Sequence, residues 1–140
     1  MISNPQRFQK AIESFDQANS QDPKGQELLY AQRMTHWLER LVPEASEALR
    51  LAARSQHLCR WMIPRNQYPE GRIGYLKWRT TLYEFHAQKA GEILEKVGYD
   101  HQTITQVQEL LRKKDIKTNS QMQLLEDVIE HELRPAIRTD

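Results

Sequence analysis

Apolar residues recur every three to four positions along this chain, in runs separated by Pro and Gly. That spacing puts a stripe on one face of an α-helix and gives a strand no face to bury. No Asn-Gly-type turn joins two alternating runs, so the sequence offers no hairpin. Asn4-Pro5 opens a first helix, because Asn caps and Pro suits the first helical position. Its stripe is Phe8, Ala11, Ile12, Phe15 and Ala18, and Asp22-Pro23 with Gly25 ends it. A second helix is predicted over 26–41, with Tyr30, Ala31, Met34, Trp37, Leu38 and Leu41 on one side and His36 in solvent. A third is predicted over 44–62, apolar on two faces and therefore central. Pro64, Pro69, Gly71 and Gly74 then hold a loop. Helices over 75–97, capped by Gly98, and over 100–113 follow. The last starts near Asn119 or Ser120, carries Met122, Leu125, Val128, Ile129 and Leu133, and stops at Pro135, leaving 134–140 as a frayed tail. The expected fold is all-α: residues 1–140 as one compact helical bundle of about six helices.

At 140 residues, of which 39% are hydrophobic, the chain can still bury a core without staples. No apolar run approaches the length of a membrane span, and the N-terminus has no apolar core of a secretory signal. Cys59, the single cysteine, has no partner for an internal disulfide and falls on a core face as a small apolar group. The expectation is a cytoplasmic protein with no membrane partner.

A net charge of +1 excludes a globally basic nucleic-acid binder but hides an asymmetry. From Arg54 to Arg79 there are six cations and one acid, Glu70; that stretch is +5 and the remainder −4. Four of the eleven aromatics lie there too: Trp61, Tyr68, Tyr75 and Trp78. Arginines bind phosphate bidentately, and Trp61 or Trp78 beside them can stack a ring. Arg60, Arg65 and Arg79 are therefore expected to line one concave anion-binding surface beside His57, walled by Trp61 or Trp78. Read as structure instead, the same arginines cover the core with their stems.

His57 precedes the basic segment and His86 follows it; both lie on or beside core-facing stripes and are expected to approach one another. Each suits a metal ligand, a general base or a satisfied structural residue. Gln56, in the middle of an apolar face, is expected to join a polar network with His57 or to tie down a loop. Asp127 sits opposite the apolar stripe of the last helix and shares a side with His131, a spacing that can hold a divalent metal.

Five blocks carry a resemblance: Gln56-His57-Leu58-Cys59-Arg60-Trp61-Met62-Ile63-Pro64-Arg65, Gly74-Tyr75-Leu76-Lys77-Trp78-Arg79, Phe85-His86-Ala87-Gln88-Lys89-Ala90, Glu109 to Lys113, and Leu125-Glu126-Asp127-Val128. In this order they resemble domain of unknown function family 4202, over nearly the whole chain. The order His, His, Asp on helices is also similar to the His-Asp metal-dependent phosphohydrolases. That second resemblance implies a helical bundle holding one or two divalent metals and hydrolysing phosphate esters, with His57, His86 and Asp127 as ligands. Leu58 stands where the Asp of the central pair belongs, so it equally implies a metal-free relative that kept the anion pocket.

Three functions follow. One is a metal-dependent phosphohydrolase acting on a nucleotide or other phosphorylated small molecule. The second is a non-catalytic module that binds a nucleotide, an RNA end or another anionic ligand. The third is a structural helical domain. Metal content separates the first from the others, and salt-sensitive phosphate binding separates the second from the third.

Overall fold

Four of the six helices begin where a side chain accepts backbone N–H groups that the first turn leaves unpaired. Asn4 accepts from Arg7 N at 3.0 Å and opens α1, Pro5–Asn19. Asp22 accepts from Gln26 N at 2.8 Å and Glu27 N at 3.0 Å, and so opens α2, Gln26–Leu41. Ser46 accepts from Leu49 N at 3.1 Å at the head of α3, Glu47–Arg54. The longest helix, α4, is Arg72–Val97 and ends on Gly98 at φ 103°, a left-handed cap that favours glycine. α5 is His101–Leu111, and Asn119 caps α6, Ser120–Arg138. These elements come from a computed structural model that describes residues 2–113 and 119–138, with the side chains of α6 through residue 132. Among the described residues there is no strand; six α-helices and two single-turn 3-10 helices, Arg60–Met62 and Arg65–Gln67, make up the fold.

The all-α expectation stands, and α3 is central: it packs against α1, α2, α5 and α6, with Ala48, Leu49, Leu51, Ala52 and Ala53 all buried. Its length does not match the expected 44–62. The Ser55 hydroxyl donates to Leu51 O at 2.8 Å, and Asn19 Oδ1 accepts the Cys59 N–H at 3.0 Å. The Asn19 bond takes the N–H that a continuing helix would give to Ser55 O, and the chain turns over 55–59 with Cys59 at φ 58°. Gln56 and His57 therefore stand on a turn, not on a helix. The last helix runs on to Arg138 rather than stopping at Pro135. The side chains of Leu133 and of the whole expected 134–140 tail lie outside the described residues.

α4 begins three residues before the expected Tyr75 because Gly74 is inside it. A Cβ on Gly74 would stand 1.8 Å from Pro69 O and 2.7 Å from Pro69 C. Only the bare Cα lets the loop that carries Arg65 lie against this turn. Gly74→Ala is expected to cost at least the 1–3 kcal/mol typical of overpacking, because backbone rather than a flexible side-chain tip must move. Urea unfolding measures it; a change below about 0.5 kcal/mol, the scale of a surface substitution, would show that the loop does not press on α4.

Candidate functional site

The turn after α3 and the middle of α4 bring two histidines together. The start of α2, fixed by Asp22, presents Glu27 and Tyr30 on one side a turn apart. Glu27 Oε1 is 3.4 Å from His57 Nδ1. The Tyr30 ring stacks on the imidazole at 3.8 Å between centroids with 6° between planes. From α4, the buried His86 donates from Nδ1 to Leu58 O at 2.9 Å, a tautomer set by the carbonyl acceptor. The His57 and His86 centroids are 6.3 Å apart, as the sequence led us to expect. Burial pushes both below the usual imidazole range. For His57 the Glu27 carboxylate opposes that push and the Arg60 charge adds to it. His86 is driven to about 3, with His57 next to it adding to the burial. Both rings are uncharged at neutral pH.

They face a cavity of about 300 Å³ between α2, α4 and α6. Three cations border it. The Arg60 guanidinium lies 5.0 Å from the Trp78 ring centroid and has no carboxylate partner among the described residues. Arg79 donates from Nε to the Tyr83 hydroxyl. Lys113 Nζ is 2.9 Å from Glu126 Oε2, the one acidic group on the lining. Lys113 reaches inward from the end of α5 in a left-handed backbone conformation, φ 61°, that a long side chain seldom adopts. Burial lowers its pKa and Glu126 counters that shift.

Not every expected residue arrives here. Arg60 and Arg79 share the cavity with His57, and Trp78 is its wall, held by a 2.8 Å bond from its indole N–H to Ile63 O. Arg65 does not join them. Its guanidinium is spent on the carbonyls of Tyr68, Pro69 and Gly71, at 3.2, 3.0 and 3.4 Å, which ties down the loop before α4. With Trp61 it borders a neighbouring cavity of about 620 Å³ that shares only Arg60 and Trp78 with the first. Gln56 is buried at the cavity, but its Oε1 has no hydrogen-bond partner, so the network with His57 is not formed. Arg54, counted in the basic stretch, is held by Asp16 at 2.7 and 2.9 Å far along α1.

Asp127, a ligand only by the second resemblance, does not reach the cavity. It is exposed and accepts from Gln123 Nε2 at 3.2 Å, while Glu126, one residue or about 100° earlier on the helix, turns into the cavity. His131 stacks on Trp37 at 4.9 Å, so it makes no pair with Asp127. Among the described residues no three His, Cys, Asp or Glu side chains gather as a metal-binding group. The donors present do not fit the divalent ion implied by the second resemblance: two imidazoles remain, and Arg60, Arg79 and Lys113 would repel a dication there. The helical phase of Asp127 was the signal that it faces solvent. Nothing in the local pattern marked the meeting of Lys113 with Glu126 or of Glu27 with His57, which depends on how separate helices pack.

No helix among the described residues is long and apolar enough to cross a membrane. Neither a curated protein nor a solved structure matches the chain. One family model does, and it spans all five sequence blocks and every residue that lines the 300 Å³ cavity. With residues 9–130 matched, the chain belongs to the family described as a domain of unknown function (DUF4202).

Proposed function

We propose that the chain binds a phosphorylated small molecule, with the phosphate seated in the cavity among Arg60, Arg79 and Lys113. The observation that carries this reading is the imbalance of charge on one concave surface: three cations face a single carboxylate, and the two imidazoles beside them are neutral. A dianion supplies the missing charge. The unpartnered Gln56 Oε1 is an acceptor for a ligand hydroxyl or a protonated phosphate oxygen. A volume of about 300 Å³ is at the small end of ligand pockets, which favours a metabolite over an RNA strand. The cytoplasm, where a lone thiol such as Cys59 stays reduced, is the compartment that goes with this reading.

Calorimetric titration with inorganic phosphate tests it. Binding is expected, weakening as salt rises. Charge-assisted contacts contribute about 1.5–3 kcal/mol each, so Arg60→Ala and Arg79→Ala should each weaken binding tenfold or more while the far-ultraviolet spectrum stays helical. Absence of binding at millimolar phosphate, or unchanged affinity in Arg60→Ala, would overturn the proposal.

A further inference from the structure

We infer that the same cavity is catalytic without a metal: His57, oriented by Glu27, takes a proton from a water molecule that attacks a phosphomonoester held by the three cations. The inference rests on the phosphate site proposed above and adds turnover to it.

The geometry is that of an oriented base. A carboxylate 3.4 Å from Nδ1 keeps the proton on that nitrogen, leaving the Nε2 lone pair on the opposite edge of the ring. Tyr30, stacked at 3.8 Å and nearly parallel, prevents the ring from swinging away. Both Glu27 and Tyr30 come from one turn of α2, so the carboxylate and the ring clamp are set by a single rigid element. His86 is fixed in the complementary way. Its Nδ1–H is used by Leu58 O, the residue next to His57, and its Nε2 is left as an acceptor. A water that donates one hydrogen to each of two such nitrogens, about 2.8 Å away, holds ring centroids roughly 6 Å apart. The observed separation is 6.3 Å. Donating both hydrogens, that water keeps its lone pairs free for the phosphorus.

In the step itself, the water oxygen forms a bond to phosphorus as its proton passes to His57 Nε2. The bond from phosphorus to the leaving oxygen breaks, that oxygen takes a proton from solvent water on the far side, and the imidazolium returns its proton to solvent. A phosphomonoester and water become an alcohol and inorganic phosphate, and His57 is neutral again. Glu27 stabilises the transient imidazolium, and Arg60, Arg79 and Lys113 stabilise charge on the phosphoryl oxygens. His57 and His86 touch the water; Glu27 is a positioning residue.

The test uses the full chain in excess EDTA with 4-nitrophenyl phosphate and adenosine monophosphate as probes, following phosphate release. Hydrolysis of at least one is expected. His57→Gln should lower kcat by a hundredfold or more, the usual range for a lost general base, with inorganic phosphate bound within about twofold of the parent. Glu27→Gln, which keeps the shape of the side chain, should lower kcat about tenfold and move the acid limb of the kcat/KM profile to lower pH, because Glu27 raises the His57 pKa. A purely structural glutamate would not move that limb. A chain that binds phosphate yet hydrolyses neither probe in EDTA overturns this inference and leaves the binding proposal standing, as does a His57→Gln variant with undiminished kcat. A chain that binds no phosphate overturns both.

Discussion

Acidification from pH 6.5 is expected to destabilise this protein progressively, starting well above the range where its carboxylates are protonated. In the unfolded chain His86 takes a proton near 6.5, and in the folded one only near 3. Between those values the unfolded chain holds the extra proton. Each unit of acidification therefore favours unfolding by about 1.4 kcal/mol, reaching roughly 4 kcal/mol by about pH 3.5. The stability is fully present above 6.5 and is lost as pH falls. The cause is burial: a cationic ring at this position would sit next to His57 with Arg60 and Lys113 nearby and with its Nδ1 already committed to Leu58 O. His57, also lowered, adds a contribution of the same sign, while Asp22, held low by the N–H groups at the head of α2, enters only in the carboxylate range. Urea midpoints measured between pH 6.5 and 5 isolate the histidines. A flat profile there would mean that both imidazoles are hydrated in the folded state. In His86→Gln the slope should fall, leaving only what His57 contributes.

The second large effect concerns the ion pair at the floor of the cavity. Lys113 has a side chain only 9% exposed and Glu126 27%, and their charged atoms meet at 2.9 Å. Removing the carboxylate strands a buried ammonium, which typically costs about 3–5 kcal/mol. Glu126→Leu is therefore expected to lower stability by about 3 kcal/mol, the lower end of that range because Glu126 is partly solvated. That variant should recover as pH rises toward 10.5, the value at which an unperturbed lysine titrates, since the folded Lys113 gives up its proton first. The double variant Lys113→Met with Glu126→Leu should lie within about 1.5 kcal/mol of the parent, because a pair exchanged for apolar groups is often neutral. The difference is the coupling energy of a double-mutant cycle. A Glu126→Leu variant as stable as the parent would show that water reaches Lys113. Neither outcome depends on whether a ligand binds, so this experiment separates the structural role of the pair from its place in the cavity.

The positions of α1 and α2 were legible in the chain because their starts rest on local chemistry: Asn4 before Pro5, and an Asp22-Pro23 turn before an amphipathic run. The approach of His57 to His86 was legible as well, since both sat beside stripes that had to be buried. The end of α3 was not. Periodicity continues through Cys59, but the chain leaves the helix after Arg54, and the resulting turn is held by Asn19, forty residues away, which accepts the Cys59 N–H. The same holds for Gly74, which reads as a loop glycine and proves to be a helical residue under the Pro69 carbonyl.

What the sequence determined by itself was the class of fold and a cationic, aromatic segment with a histidine on either side. Hydrophobic period, caps and local charge are properties of neighbours in the chain, and they act before any tertiary contact forms. Which charges share a cavity was decided only by packing. Arg65, Arg54 and Asp127 were drawn away to the carbonyls of Tyr68, Pro69 and Gly71, to Asp16 and to Gln123, while Lys113 from the end of α5 and Glu126 from α6 were brought to the lining and Glu27 from α2 to His57 behind it. A site of this kind is set by small rotations of whole helices: about 100° separates Glu126, inside, from Asp127, outside. The stripe of α6 already turned Asp127 outward; that Glu126 meets Lys113 on a cavity follows from how α6 settles on α2 and α3.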